Sequence, residues 1–408
     1  MVDLSVKKLG LINPFVVASS PATQGTRNVL KTAKMRPGAI TMRNFGHGAG
    51  GGSYFNPGFN EVILGGHASH SHAVGRQIED PITTLEQYCE EVKKTRSMLD
   101  SDIKLWVSVG HYGDFVKGGN WEADWTLQAH ELTLAGADAL ELHFNTPGVA
   151  IAKDRIFDYY QLVRHSTELI KKAEPNIPLM VKLTTEGCDV LTSMRIAQAA
   201  GADAVGPTSR WKAFCMDLDW RTTHARPGSG YGGTQATPIV CQAIAEGRNS
   251  GIDLPIYAGG GVFSFEQAAR LIMAGSDCVQ LGTIACSGGV GVCKKLISDF
   301  EKWMETAGYE SVEQLQGDAL TLYNMPSSFA KERQNTLADE YKNTPIITEK
   351  CIGCGRCDDV CWNDAIAITD KIAVKTEKCI GCGYCYQVCP TGALYVPSGE
   401  ILAKAFQK

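Results

Sequence analysis

Residues 351–361 read Cys-Ile-Gly-Cys-Gly-Arg-Cys-Asp-Asp-Val-Cys, and residues 379–390 read Cys-Ile-Gly-Cys-Gly-Tyr-Cys-Tyr-Gln-Val-Cys-Pro. The same C-x2-C-x2-C-x3-C spacing therefore occurs twice in succession, and it admits very few folds. Three thiolates on a tight, glycine-containing loop cap three irons of a [4Fe–4S] cube, while the fourth cysteine of the run ligates the other cluster. That rule assigns Cys351, Cys354, Cys357 and Cys389 to one cluster and Cys379, Cys382, Cys385 and Cys361 to the second. Zinc normally takes C-x2-C pairs, not two four-cysteine runs, and disulfides are rare in a reducing compartment. Pro390 follows the second run, whereas Trp362 replaces the motif's proline after the first, a departure expected to act only locally. The other seven of the fifteen cysteines (Cys89, Cys188, Cys215, Cys241, Cys278, Cys286 and Cys293) are scattered singly and read as small buried apolar residues.

Two such clusters in a small module conduct single electrons and do little else. The chain has 408 residues, which leaves room upstream for one large barrel of about 250 residues. A net charge of −5 with no Lys/Arg block argues against nucleic acid as a partner. No apolar run approaches the roughly 18 residues of a membrane span, and Met1-Val2-Asp3-Leu4-Ser5 lacks a secretory pattern, so a cytoplasmic protein with no membrane partner is expected.

Upstream of the cysteine module, short apolar runs alternate with stretches of helical period. The runs are Phe15–Ala18, Ala39–Arg43, Leu105–Val109, Ala139–His143, Leu179–Leu183, Ala202–Pro207, Ile256–Gly259 and Cys278–Gly282. Continuous apolar runs bounded by turn residues suit parallel strands buried on both faces. Candidate helices lie between them at Leu85–Leu99, Trp125–Ala135, Arg155–Lys172, Val190–Ala200, Ala236–Asn249, Phe265–Ala274 and Val292–Ala307. Eight alternations predict an α/β fold, a (β/α)8 TIM barrel over residues 1–310, in preference to an open doubly wound sheet. Residues 311–344 read as a linker and 345–408 as a ferredoxin-like domain holding two [4Fe–4S] clusters.

Catalytic groups of such barrels cluster at the C-terminal ends of the strands. Those ends carry Ser19-Ser20, Arg43-Asn44, His111-Tyr112, His143 with Asn145-Thr146, Lys182, Thr208-Ser209-Arg210, Gly259-Gly260-Gly261 and Gly282-Thr283. Glycines after the last two strands point to a phosphate held by uncovered backbone N–H groups, with tight turns as the plainer alternative. A buried Lys182 needs an anionic partner, which a reduced flavin would supply; a structural salt bridge would do so equally, and the same choice applies to Arg43. Flavin also explains the fusion, because it exchanges single electrons with iron–sulfur clusters and a hydride with organic substrates.

Asn13-Pro14-Phe15 with Ala18-Ser19-Ser20-Pro21, Glu141-Leu142 with Pro147, Val181-Lys182-Leu183, Gly232-Gly233 with Pro238, Ala258-Gly259-Gly260-Gly261 and Gln280-Leu281-Gly282-Thr283 together resemble the dihydroorotate dehydrogenases. With the cysteine module added, the chain resembles the FMN and iron–sulfur portion of the dihydropyrimidine dehydrogenases. The resemblance implies FMN at the barrel mouth, its phosphate on Gly260, Gly261, Gly282 and Thr283 beside Gly259. It also implies Lys182 near the flavin pyrimidine, Ser19, Ser20 and Gly233 lining the site, and Arg43 where the family usually has Lys. The implied activity is oxidoreduction of a CH–CH bond conjugated to a carbonyl.

Two departures bear on the substrate. Where the family carries a Cys or Ser acid/base after the fourth barrel strand, this chain has Thr146, a poor acid that needs a relay or replacement by His143, His111, His72 or Tyr112. Where the family grips an imide edge with Asn and Ser/Thr, this chain has Ser209-Arg210, and arginine favours a carboxylate or another anion. The substrate is therefore expected not to be uracil or thymine. Reduction of an anionic unsaturated acid, or a non-catalytic electron-transfer subunit, are the rival readings. Gly46–Gly52 reads as a loop over the site or a plain connector, and His67, His70 and His72 read as substrate contacts more readily than as metal ligands. No Gly-x-Gly-x-x-Gly opens a βαβ unit, so an FAD/NAD(P)H reductase subunit or a soluble ferredoxin is expected as electron partner, with a homo-oligomer the family habit.

Overall fold

The computed structural model describes residues 2–43, 61–64, 67–70, 84–110, 121–144, 159–185, 188–209, 211–213, 229–231, 233–324, 346–370, 372–379 and 382–395. Eight short strands form the centre of the first unit: β1 (Phe15–Val17), β2 (Ala39–Met42), β5 (Lys104–Val109), β6 (Ala139–His143), β7 (Leu179–Lys182), β8 (Ala204–Gly206), β11 (Tyr257–Gly259) and β12 (Cys278–Leu281). Their order is β11-β12-β1-β2-β5-β6-β7-β8, and every pairing is parallel. A parallel bridge between Val205 and Ile256 joins the two ends of that order, so the sheet closes on itself as the expected TIM barrel. Residues on both faces are buried, from Phe15, Val16 and Val17 to Leu105, Val107, Leu140, Val181 and Val279, which is why the strands read as unbroken apolar runs.

The remaining strands lie outside the barrel. Two antiparallel ribbons, β3 (Glu61–Leu64) with β4 (His67–His70) and β9 (Trp211–Ala213) with β10 (Ser229–Tyr231), follow the second and sixth barrel strands. Neither is evident from the apolar periodicity. His67 and His70 sit at opposite ends of one ribbon strand, paired with Leu64 and Glu61.

The helices follow the expected pattern with shifted ends. The helix read from Trp125 begins at Trp121, the one read from Val292 begins at Gly289, and a helix over Gly25–Ala33 is additional. No helix among the described residues is long and apolar enough to cross a membrane.

One device recurs at the N-terminal end of the barrel. The sequences Ala135-Gly136-Ala137-Asp138, Ala200-Gly201-Ala202-Asp203 and Ala274-Gly275-Ser276-Asp277 each follow a helix and enter a strand. The glycines adopt φ of +98°, +89° and +116°, a region closed to most side chains, and turn the chain back toward the sheet. Each aspartate then accepts a backbone N–H from the preceding strand or its approach (Leu105, Leu179 and Ile256) at 2.7–2.8 Å. It also accepts from a cation on the helix that precedes that strand: Arg96 at 2.7 Å, Lys171 at 2.8 Å and Arg248 at 2.5 Å. Three successive strand–helix–strand units are thus clasped by one carboxylate each.

The linker expectation is corrected at its start. Val312 and Leu315 are buried in the barrel core, and Val312 N donates to Asp3 O at 3.0 Å. Gly317 N and Ala319 N bond Ile272 O and Met273 O. Residues 311–323 therefore belong to the barrel unit, which runs Met1–Tyr323, and 325–345 lie outside the described residues. Residues 311–323 escaped notice because their two helices, Val312–Leu315 and Leu320–Tyr323, are too short to show a period.

The second unit is a separate small body. Its frame is an antiparallel hairpin, β14 (Ile366–Thr369) with β15 (Ile372–Lys375), and a two-residue pairing of β13 (Ile346–Ile347) with β16 (Leu394–Tyr395). Among the described residues its core is Cys357, Ile366, Ala373, Cys385, Ala393 and Leu394, a small apolar cluster in which two of the six members are cysteines of the paired runs.

The clasps differ in burial, and their cost on removal should follow. Asp277 is 2% exposed and Arg248 14%, so Asp277→Ala strands a buried guanidinium and should cost about 3–5 kcal/mol. Asp138 is 28% exposed, and Asp138→Ala should cost about 1–2 kcal/mol. Urea unfolding of the two variants checks the ordering.

Candidate active site and cluster module

The polar side chains expected at the strand ends converge where they are described. His143 ends β6 and is the ladder partner of Lys182 at the end of β7. His143 Nε2 lies 3.1 Å from Ser209 Oγ, just beyond β8. Thr208 Oγ1 donates to Gly259 O at 2.6 Å and ties the end of the β8 segment to β11. Arg43 follows β2; its Nη1 donates to Gln24 Oε1 at 3.1 Å, and its carbonyl accepts from Tyr88 OH at 2.8 Å. Ser19 and Ser20 leave β1 beside β12, since Ala18 N donates to Leu281 O, and Ser20 opens the turn over Pro21–Thr23.

Lys182 is buried, and its ammonium reaches across the barrel interior. Nζ donates to Gln280 Oε1 on β12 at 2.6 Å and lies 3.7 Å from Glu141 Oε2 on β6. Gln280 is held in turn by its Nε2, which donates to Tyr257 O at 3.0 Å, and Glu141 Oε1 accepts from Ser108 Oγ at 3.1 Å. Burial, reinforced by the Glu141 charge, pushes the Tyr257 phenol well above its ordinary range and keeps it neutral. Of the two anionic partners considered for Lys182, the protein itself supplies one: Glu141. The signal was a lone carboxylate in the apolar run Ala139-Leu140-Glu141-Leu142, which marks a buried acid in need of a partner. Gln280 gave a weaker signal, an amide inside another apolar run.

The glycine loops have the character of a phosphate cradle. Gly260 and Gly261 adopt φ of +126° and +79°. A Cβ on Gly261 would fall 2.4 Å from Gly233 O and 2.6 Å from Thr237 Oγ1, so only glycine fits, and Gly233 lies against this loop. Among the described residues, the backbone N–H groups of Gly260, Gly261 and Gly282 have no acceptor. Three such donors starting two adjacent loops suit a bound oxyanion. Thr283 heads the short helix Thr283–Ser287 immediately after Gly282. Trp211, on its ribbon, would approach a Cβ on Gly260 to 3.7 Å and adds an aromatic wall that periodicity did not reveal.

Thr146, His111, His72 and Arg210 lie outside the described residues, as do Asn145, Tyr112, Gly232 and Gly46–Gly52.

In the second unit each four-cysteine set surrounds its own cavity. One is lined by Cys361, Cys379, Cys382 and Cys385 with Val360 and Ile366; the other by Cys351, Cys354, Cys357 and Cys389 with Ile368 and Leu394. The fourth cysteine of each set comes from the other run, the arrangement that the spacing suggests for crossed ligation. Gly355 and Gly383, at φ of +80° and +81°, turn the chain into one-turn helices that carry Cys357 and Cys385 inward. Among the described residues no three His, Cys, Asp or Glu side chains close on a single ion. The sets are spaced to grip the faces of a polynuclear cluster.

Ala365 N and Ala373 N donate to Cys361 Sγ and Cys351 Sγ at 3.2 and 3.3 Å. Partial burial raises the Cys389 thiol, but N–H donors from Leu394, Thr391 and Ala393 and the Thr391 hydroxyl outweigh it and bring it down to about 7. Trp362 is 85% exposed, so the missing proline leaves the cavity intact.

Comparison with known proteins agrees with this geometry. A family model described as dihydroorotate dehydrogenase matches residues 1–304, and one described as a 4Fe-4S dicluster domain matches residues 344–396. The catalytic subunit of dihydroorotate dehydrogenase B (NAD(+)) from Pyrococcus furiosus is 26% identical over 311 residues, covering 75% of this chain and 94% of that protein. The NAD-dependent dihydropyrimidine dehydrogenase subunit PreA from Escherichia coli is 26% identical over 374 residues, covering 88% of this chain and 86% of that subunit.

Crossed ligation has a signature in iron content. Cys361→Ala with Cys379→Ala touches one cavity and should leave about four of about eight irons per chain; Cys361→Ala with Cys351→Ala touches both and should leave almost none. Iron assay after anaerobic purification distinguishes this from uncrossed ligation, which would give the reverse: almost no iron in the first double variant and about half in the second.

Proposed function

This chain belongs to the dihydroorotate dehydrogenase family and is an FMN- and iron–sulfur-dependent oxidoreductase acting on CH–CH groups; from that premise we propose that it reduces, or forms, a C–C double bond conjugated to a carbonyl in a substrate other than uracil or thymine. The observation that carries the reading is the approach of His143 Nε2 to Ser209 Oγ, with buried Lys182 as the direct ladder partner of His143. A titratable imidazole, a hydroxyl and a fixed ammonium then face one mouth. FMN, when bound, supplies hydride exchange with carbon and single-electron exchange with the clusters.

In this reading Gly260, Gly261, Gly282 and Thr283 hold the cofactor phosphate through backbone N–H groups, and Lys182 presents its ammonium to the edge of the ring that gains negative charge. Ser19, Ser20, Arg43 and Gly233 complete the walls. His143 holds the proton that the substrate carbon gains or loses, steadied by Ser209. Thr146, a weak acid, serves at most as the last member of that relay. Arg210 pairs with an anionic group of the substrate, while His72 and His111 supply neutral contacts; these three and Thr146 are assigned from the sequence. Electrons enter through the C-terminal module from a separate FAD/NAD(P)H subunit or a soluble ferredoxin.

Anaerobic turnover of dithionite-reduced protein against cyclic imides, hydantoins, heteroaromatics and unsaturated acids tests the reading. At least one anionic or ring-amide substrate should reoxidise the flavin, and failure of every member would favour an electron-transfer subunit. His143→Asn should lower kcat about 10²-fold or more while FMN and iron contents stay at parent values. Arg210→Asn should shift preference from anionic toward neutral cyclic amides, and an unchanged preference would remove Arg210 from the grip.

A further inference from the structure

Glu141 is the most deeply buried carboxylate among the described residues, fully enclosed in the middle of β6. Its placement relative to Lys182 is unusual for a simple ion pair. The separation of 3.7 Å between Oε2 and Nζ is longer than a hydrogen bond, and Oε2 accepts none among the described residues. The ammonium instead spends its short contact on a neutral amide, Gln280 Oε1 at 2.6 Å. Both sides of this spacing are fixed independently: Ser108 Oγ anchors the carboxylate at 3.1 Å, and Tyr257 O anchors Gln280 at 3.0 Å. A pair serving neutralisation alone would close to hydrogen-bond distance, where Coulomb attraction best offsets desolvation.

We infer that Glu141 is a positioning residue that sets how much of the Lys182 charge reaches the bound flavin: a counter-charge held back by Ser108, which makes the buried ammonium tolerable without cancelling its field. The inference rests on the placement of FMN at this barrel mouth. A carboxylate on the inner side of the ammonium lowers the positive potential at the mouth by a fixed fraction. Removing the carboxylate's charge therefore increases the site's attraction for negative charge on the ring, and adding a second carboxylate beside the same ammonium decreases it.

Sulfite reads that potential at equilibrium and without turnover. Its sulfur lone pair forms a bond to N5 of the oxidised ring as the adjoining C=N π bond breaks, and that π pair moves to the pyrimidine edge, which is left negatively charged. The experiment is a sulfite titration of anaerobically purified holoprotein, followed by loss of flavin absorbance. Relative to the parent, Glu141→Gln should bind sulfite about tenfold more tightly, and Lys182→Met and Gln280→Glu about tenfold more weakly. A role confined to packing would give Glu141→Gln and Gln280→Glu shifts of the same sign. Sulfite affinity in Glu141→Gln equal to or weaker than the parent's, or a folded Glu141→Gln protein that no longer holds FMN, overturns the inference. Should Glu141→Gln not fold, Gln280→Glu decides alone: unchanged or tighter binding overturns it. A parent protein that holds no FMN overturns the cofactor placement instead, which separates the two failures.

Discussion

A positive charge buried inside a parallel barrel is tolerated only if the surrounding strands supply its partners, and Lys182 obtains them from opposite sides of the interior. Gln280 on β12 and Glu141 on β6 fix the ammonium, while Ser108 and Tyr257 fix those two in turn. Five strands of the barrel thus hold one nitrogen atom. The catalytic reading depends on this arrangement, because a cation free to swing away would neither stabilise charge on the ring nor hold its alignment with His143.

The barrel and its clasps divide the labour between the two ends of the strands. At the N-terminal end, Asp138, Asp203 and Asp277 each bind a backbone N–H of the preceding strand or its approach and a cation from the helix ahead of that strand, which is a stability device. At the C-terminal end the polar groups are less fully paired: three glycine N–H groups lack acceptors among the described residues. That asymmetry is expected where one end binds and the other holds the fold.

The barrel strands were legible because each is buried on both faces and leaves an unbroken apolar run, and the grouping of the eight cysteines into two mixed sets because their spacing alone pairs the last of each run with the other. The strand-end residues His143, Lys182, Ser209 and the glycines followed from the strand boundaries. Glu141 was visible in the sequence but unassigned, since a single carboxylate in an apolar run does not disclose which strand carries its partner. Residues 311–323 were assigned to the linker because one-turn helices have no period, and their burial depends on distant contacts with Asp3, Ile272 and Met273. The recurring Ala-Gly-x-Asp is silent in the sequence for a similar reason: its meaning lies in an N–H on the preceding strand and a cation on the helix ahead of that strand, 29–42 residues away. The ribbons escaped because strands of three or four residues outside the core carry little alternation.

Joining a barrel that handles electron pairs to a module that carries single electrons has one direct quantitative consequence. Anaerobic reductive titration of the purified protein should consume about four electron equivalents per chain, two bleaching a flavin and one entering each of two clusters. An end point near two equivalents with no flavin released as FMN on denaturation would contradict a flavin barrel supplied by two iron–sulfur clusters.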